Sequence, residues 1–184
     1  MDDPPAASMR GGRSVSLRVA ADALVLLVGV AASGKSTFAA RHFAPTEVLS
    51  SDTLRAMISD DPSAQGATGD AFDLLHRILA LRLRRGRLTV VDATNVEAWA
   101  RAELLSVARQ HRRPAVAIML DLPLPVILER NVGRPGRRPP AAALRRQHRW
   151  LHDALPSLAD EGFVAVHYLR DAAEIDSARI ERVT

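Results

Sequence analysis

The sequence predicts an α/β fold in which helices wrap a central parallel sheet of about five strands. Short apolar runs alternate with longer amphipathic stretches along the chain, which is the order expected for such a sheet. The clearest run, 22–29, holds an unbroken apolar stretch that ends in glycine, as is typical of a strand buried on both faces. The composition agrees, because 47% of the 184 residues are hydrophobic and 25% are charged.

Five runs are predicted as strands because each is short, rich in aliphatic residues and bounded by turn or polar residues. They are 22–29, 46–50, 87–93, 114–121 and 163–169. Helices are predicted over 35–43, from a cap at Ser51 or Asp52 onward, over 67–85, over 96–110, up to Arg130 after the fourth strand, near 141–158 and near 172–182. Within 67–85, apolar Phe72, Leu75, Leu79 and Leu83 recur at steps of three and four, as in an amphipathic helix.

The chain is predicted to be one domain preceded by a loose tail. Residues 1–14 are rich in Pro, Gly and Ser and are expected to form a flexible N-terminal tail, while 15–184 hold the domain. No cysteine is present, which excludes disulfides, thiolate nucleophiles and cysteine-type zinc sites. His148 and His152 have helical i,i+4 spacing without an evident third ligand, so they are expected on a solvated helix face.

No apolar stretch is long enough to span a bilayer, so we expect a cytoplasmic protein with no membrane partner. Arg10, Arg13 and Arg18 precede the first apolar run and give it some likeness to a secretion signal. Asp22, directly before that run, argues against a signal, and a buried strand explains the run better.

Residues 29–36 match the P-loop pattern G-x-x-x-x-G-K-[ST] between a predicted strand and a predicted helix. In such a turn, backbone N–H groups cradle the phosphates of ATP, and the lysine reaches the β- and γ-phosphates. Lys35 is the single lysine among 25 basic residues, and its compact ammonium fits a small cradle that a guanidinium would not. The predicted ATP-binding residues are Gly29, Ala32, Ser33, Gly34, Lys35, Ser36 and Thr37. Ser36 also offers a hydroxyl to Mg²⁺. The alternative interpretation of residues 29–36 is a glycine-containing turn that binds no ligand.

Asp52 and Arg55 follow the second predicted strand, at the edge of the sheet where the strand ends and the P-loop converge. Because they are three residues apart, they share one face of a predicted helix. Asp52 can orient an acceptor hydroxyl and take its proton, and Arg55 can bind a phosphate on the same acceptor. The alternative leaves Asp52 as a helix N-cap and Arg55 as a solvated helix charge.

Asp92 ends the third predicted strand, in the sequence VVDATN. It is placed to act as a Walker B-type carboxylate that holds Mg²⁺ or its waters. The alternative is a turn residue at the end of a strand, with Thr94 or Asn95 capping the next helix.

Four arginines gather where glycine and proline break a helix, in the sequence ERNVGRPGRRPP. They are Arg130, Arg134, Arg137 and Arg138. A mobile lid over a triphosphate would carry arginines in this way, because they stabilise the charge of a transferring phosphoryl group. The alternative is a basic loop in a chain that uses arginine throughout.

These motifs resemble the 5′-kinase module of bacterial polynucleotide kinase-phosphatases, which are RNA-repair enzymes. The resemblance runs from Leu17 to Arg182, nearly the whole chain. The P-loop alone is generic, whereas the elements S-S-D-x-x-R, D-D-x-x-x-Q and D-A-T-N, in this order and at this spacing, are much more specific. The resemblance implies a P-loop NTPase fold with an arginine-rich lid.

The resemblance also implies roles for particular residues. Lys35 and Ser36 would bind the phosphates of ATP and Mg²⁺, and Asp52 would be the general base on the 5′-hydroxyl of the acceptor. Arg55 would hold the phosphate of the acceptor, and Gln65 would lie near the acceptor or phosphate site. The lid that clamps ATP would consist of Arg130, Arg134 and Arg137. Members of the family usually continue into a phosphatase and a ligase, so such partners are expected on other chains or domains.

The resemblance leaves two alternatives open. One is a P-loop kinase that phosphorylates a small-molecule hydroxyl, such as an antibiotic, a sugar or a nucleotide derivative, and keeps Lys35, Ser36 and Asp52. The other is a non-catalytic ATP-binding protein. The sequence also departs from the family, because its P-loop lacks extra glycines and its lid contains prolines that could exchange the roles of Arg137 and Arg138.

Overall fold

The structure is a computed structural model, and it describes residues 15–134 and 138–183. Its strands are β1 (Ser16–Ala20), β2 (Leu24–Val28), β3 (Val48–Ser50), β4 (Thr89–Asp92), β5 (Ala115–Leu120), β6 (Ala165–Leu169) and β7 (Arg179–Val183). Its helices are α1 (Lys35–His42), α2 (Ser51–Ser59), α3 (Thr68–Arg84), α4 (Ala98–Gln110), α5 (Leu124–Val132), α6 (Ala141–Ala154) and α7 (Ala172–Ser177). The predicted tail, 1–14, lies outside the described residues.

Five strands form one parallel sheet in the order β3-β4-β2-β5-β6, flanked by helices. The predicted fold class is therefore confirmed, and each of the five strands lies within the bounds predicted from the sequence. Strands β2, β4 and β5 are buried over their full length, because each is covered on both faces.

The helices bury apolar residues on one side, and α3 shows the pattern most clearly. In α3, which has 17 residues, the buried positions are Ala71, Leu75, Leu79 and Leu83, and this spacing gives a single apolar stripe. Gly86 follows its end with φ of 63°, a left-handed conformation that glycine adopts at little cost. Within the described part of the chain, no helix is long and apolar enough to cross a membrane.

A second, two-stranded parallel sheet joins β1 to β7, and the sequence analysis did not predict it. The helix predicted near 172–182 is wrong beyond Ser177, because β7 occupies most of the remainder. In β7 only Ile180 and Val183 are partly buried, so the strand lacks the alternating pattern that would reveal it. The helix predicted near 141–158 is also too long, since α6 ends at Ala154.

The order of the strands places a crevice at one edge of the sheet. The chain passes from the central strand β2 to β3 at one edge, returns to β4 and then crosses to β5 and β6 on the other side. Because all five strands are parallel, the loops that follow them emerge at the same edge. In open α/β sheets, ligands bind at the carboxyl ends of the strands where the order reverses, here at β2.

Candidate active site

A cleft of about 1200 Å³ opens at this edge of the sheet, and it gathers most of the predicted site residues. Those that line it are Ala32, Gly34, Lys35, Ser36, Thr37, Asp52, Arg55, Gln65, Asp92, Arg130 and Arg134. Gly29 and Ser33 are buried within the P-loop turn. Arg137 lies outside the described residues, so its predicted place in the lid stays a prediction.

The P-loop turn holds a conformation that only some residue types adopt easily. A Cβ atom on Gly29 would lie 2.8 Å from the Ser33 hydroxyl and 2.9 Å from the Leu120 carbonyl oxygen, so this position requires glycine. Gly34 has φ of 101° directly before α1. Ala32 has φ of 68°, a left-handed conformation that costs an alanine about 1–2 kcal/mol.

Lys35 is buried at the first position of α1, with 7% of its surface exposed. Its ammonium donates hydrogen bonds to the carbonyl oxygens of Gly29 and Val30, both at 2.9 Å. Burial lowers the pKa of Lys35 to about 8, although the Asp92 carboxylate acts in the opposite direction; Arg134 lowers it further. The same cleft edge therefore holds a lysine and a carboxylate within electrostatic reach of each other.

Helix α2 begins with Ser50 as its N-cap, since the Ser50 hydroxyl accepts a hydrogen bond from the Thr53 backbone N–H at 3.4 Å. The predicted cap at Ser51 or Asp52 is therefore wrong. Ser50 takes the role because it is the last residue of β3 and still has extended φ and ψ, which an N-cap requires. Asp52 lies in the first turn of the helix, and its carboxylate contacts arginine side chains instead of capping the helix.

The Asp52 carboxylate lies between two arginines. It forms an ion pair with Nη2 of Arg55, and Nη2 of Arg134 lies 3.9 Å from its other oxygen. Arg55 also donates from Nε to the Pro62 carbonyl oxygen at 3.0 Å and is only 4% exposed. Arg55 is thus a buried, oriented group on the cleft wall rather than a solvated helix charge.

Helix α5 and the two residues that follow it bring two of the predicted lid arginines to the cleft. Nη1 of Arg130 donates to the Ser33 carbonyl oxygen at 3.3 Å, so its guanidinium lies against the P-loop. Arg134 lies on the opposite flank, beside Asp52. Arg138 is exposed and donates to the Arg134 carbonyl oxygen at 2.7 Å. The structure therefore puts Arg130 and Arg134 at the cleft.

Sequence reasoning did not predict the support beneath Asp92. Asn95 is buried with φ of 49°, and its side-chain amide donates to the Leu27 carbonyl oxygen at 2.8 Å. Arg101 is fully buried and donates to the Asn95 carbonyl oxygen, while two further bonds of 2.7 and 2.5 Å join it to Glu161. Asn95 therefore holds the loop after β4 to β2 and does not cap α4, which begins after Glu97.

A second residue that the sequence did not reveal is Gln147 of α6. Its side-chain oxygen accepts a hydrogen bond from the Ala31 backbone N–H in the P-loop at 3.0 Å, and the residue lines the cleft. The two residues are 116 positions apart, so no local pattern could have indicated the contact.

The residues of α3 and α4 that line the far side of the cleft, together with the α4 N-cap Glu97, are called here the α3–α4 wall, which is acidic and aromatic. It includes the carboxylates of Asp73, Glu97 and Glu103 and the side chain of Trp99, which is 62% exposed. None of the described residues of this wall is an arginine or a lysine.

A family model described as an AAA domain matches residues 24–154, which is most of the chain. The chain belongs to this AAA-domain family. Comparison with curated proteins gives no match.

Solved structures share the fold of this AAA-domain chain at low sequence identity. A chain of the Pnkp1/Rnl/Hen1 RNA repair complex is 23% identical to this chain, with a TM-score of 0.61. The match covers 73% of this chain and 45% of that one. A candidate kinase from Chloroflexus aurantiacus is 15% identical with a TM-score of 0.57, over 82% and 86% of the two chains. A gluconokinase from Sinorhizobium meliloti is 20% identical with a TM-score of 0.53, over 86% and 87%. The AAA-domain chain therefore has a kinase-like P-loop fold.

Proteins of this fold use Mg²⁺ with the nucleotide, and the cleft has donors that suit it. The Ser36 hydroxyl and the Asp92 carboxylate both line the cleft, and both are hard oxygen donors of the kind that Mg²⁺ prefers. Among the described residues, no group of three or more acidic or histidine side chains could hold a metal alone. Mg²⁺ that is bound to phosphates takes one or two protein ligands and keeps several waters, and Ser36 and Asp92 are the residues that would hold it here.

Proposed function

We propose that this protein is an ATP- and Mg²⁺-dependent kinase that transfers the γ-phosphate of ATP to the 5′-hydroxyl of a polynucleotide end, RNA or DNA, in nucleic-acid repair. The observation that carries the proposal is the position of Asp52. This carboxylate shares one cleft with the P-loop and is flanked by Arg55 and Arg134. We assign Asp52 as the proton acceptor and the two arginines as phosphate-binding groups, and their position beside the P-loop supports this assignment.

On the donor side, the residues of this chain bind and orient the triphosphate. The amides of the P-loop turn and of the first turn of α1 face the phosphates, and no acidic residue in that turn opposes them. Lys35 supplies a positive charge to the β- and γ-phosphates. Ser36 and Asp92 would hold Mg²⁺, which neutralises charge that develops on the phosphate oxygens.

On the acceptor side, Asp52 takes the proton of the 5′-hydroxyl as its oxygen bonds to the γ-phosphorus and the bond to ADP breaks. Arg55 orients Asp52 through their ion pair and faces the acceptor phosphate, and Gln65 lines the same part of the cleft. Arg130, Arg134 and Arg137 close over the triphosphate and stabilise charge during transfer.

A repair role also predicts partner activities. A 5′-kinase prepares an end for sealing, so a phosphatase and a ligase, on other chains or domains, would complete the repair. The similarity to a chain of an RNA repair complex supports this proposal, and the present chain spans 45% of that chain.

One observation favours a second candidate, a kinase of a small-molecule hydroxyl. The α3–α4 wall carries three carboxylates and no described arginine or lysine, and such a wall repels a polyanion that runs along it. A sugar or a cationic antibiotic would meet no such repulsion, and one of the similar structures is a gluconokinase.

Label transfer from γ-labelled ATP tests the proposal. The purified protein with Mg²⁺ is expected to label RNA or DNA oligonucleotides that end in a 5′-hydroxyl and to leave 5′-phosphorylated ones unlabelled. The Asp52→Asn variant should lose this transfer, while Asp70→Asn, which changes an exposed carboxylate in α3, should keep it. Transfer to sugars or antibiotics but not to oligonucleotides would establish the second candidate, and ATP binding without any transfer would contradict both.

A further inference from the structure

Gln147 is half-buried on the side of α6 that faces the cleft. Leu144 and Leu151, three positions before it and four after it, are fully buried and pack into the core. Residues with this spacing share one side of a helix. The two leucines anchor this side of α6 in the core and so fix where the Gln147 side chain enters the cleft.

The hydrogen-bond partner of Gln147 is the phosphate-binding turn. The Gln147 side-chain oxygen accepts the Ala31 N–H at 3.0 Å, one residue before Ala32, whose φ is 68°. Glycine would adopt this conformation without strain, whereas alanine resists it. The hydrogen bond from α6 to Ala31 is a contact from outside the turn that favours the conformation in which Ala32 has positive φ.

The phosphate-binding turn has a second contact, which comes from α5, the helix before α6. Arg130 of α5 donates to the Ser33 carbonyl oxygen at 3.3 Å. The side chain of Asn131 donates to the Pro139 carbonyl oxygen at 3.0 Å and so joins the end of α5 to the residues that precede α6. Helices α5 and α6 thus hold the turn from two points, Arg130 and Gln147, and Arg134 lies between these two residues in sequence.

We propose that Gln147 is a positioning residue that fixes the glycine-poor phosphate-binding turn and ties it to helix α6, as Arg130 ties it to helix α5. The proposal rests on the proposed function, because it requires that the turn binds ATP. Gln147 acts through the Ala31 backbone. Loss of the Gln147 side chain should therefore weaken the binding of ligands that have phosphates and leave the binding of ligands without phosphates unchanged.

The experiment compares Gln147→Ala with the unchanged protein in equilibrium binding of a non-hydrolysable ATP analogue and of adenosine. We expect the variant to bind the analogue about 5- to 10-fold more weakly, the effect of one lost hydrogen bond that leaves an N–H unpaired. Adenosine should bind equally well to both proteins, because it makes no phosphate contacts. Gln110→Ala, an exposed glutamine at the end of α4, is the matched control and should change neither ligand.

A second variant tests the link to backbone strain. In an Ala32→Gly background the turn adopts its conformation without strain. There Gln147→Ala should weaken binding of the ATP analogue by less than about 3-fold. Unchanged analogue binding in Gln147→Ala, equal losses for adenosine and the analogue, or the same loss in both backgrounds would each overturn the proposal. Failure of the unchanged protein to bind the analogue would instead overturn the proposed function.

Discussion

Replacing Lys35 with methionine should change how the stability of this protein depends on pH. Lys35 is the only lysine in the chain, and burial lowers its pKa to about 8 from an ordinary value of 10.5. Methionine has a similar length and no charge, so Lys35→Met removes this one titration. The other 24 cationic side chains are arginines, which keep their protons throughout the range.

The sign and size of the change in the free energy of unfolding with pH follow from the two pKa values of Lys35, folded and unfolded. Below pH 8 the lysine is charged in both states, and the folded protein bears the full cost of burying that charge. Between 8 and 10.5 the unfolded chain holds more protons than the folded one, so the free energy of unfolding rises with pH until both states are neutral. From about pH 7 to about pH 9.5, the unchanged protein should gain about 2 kcal/mol relative to Lys35→Met.

Urea unfolding of both proteins at the two pH values measures this quantity, because the groups that they share cancel in the difference. The variant should also lose phosphate transfer at either pH, since it lacks the cation that meets the phosphates. A difference in unfolding free energy that stays constant within about 0.5 kcal/mol between the two pH values would refute the burial of a charged lysine in the P-loop.

Three further predictions concern other residues of the cleft and its support. Asp52→Asn should slow phosphate transfer by about 10²- to 10⁴-fold without weakening ATP binding, which separate rate and binding measurements would show. Arg130→Ala and Arg134→Ala should each slow transfer by about 10³-fold and leave the melting temperature nearly unchanged; wild-type rates would mean that they form only a basic surface. Arg101→Ala should lower the free energy of unfolding by about 3–5 kcal/mol, because it leaves Glu161 unpaired, and a loss below about 1 kcal/mol would contradict the buried pair.

The sequence predicted the parts of the fold that local patterns encode. The five strands of the main sheet were found because buried parallel strands are short, unbroken apolar runs. Strand β7 was missed because it pairs only with β1 near the other end of the chain, and its partly exposed residues show no clear periodicity. The alternation of strands and helices could be read locally, but this pairing depends on tertiary structure.

The residues of the candidate site also fall into two groups, those that local sequence indicates and those that only the tertiary structure reveals. Lys35, Asp52 and Asp92 could be placed together from sequence, because each lies at or after the end of a parallel strand and the carboxyl ends of such strands meet at one edge. The cap at Ser50 was missed by one residue, within the usual uncertainty of helix ends. Gln147 and Arg101 could not be predicted, since their partners Ala31 and Glu161 are 116 and 60 residues away.

The most direct test of the central claim, that the acceptor is a polynucleotide end, compares two acceptors that differ by one phosphate. Initial rates of transfer from ATP are measured for a nucleoside and for its 3′-phosphate, with the unchanged protein, Arg55→Lys and Arg55→Ala. The account predicts a strong preference for the 3′-phosphate, partly kept by lysine and lost with alanine, because the guanidinium holds that phosphate with two parallel bonds. Equal rates for the two acceptors with the unchanged protein, or an Arg55→Ala variant with an unaltered preference, would contradict it.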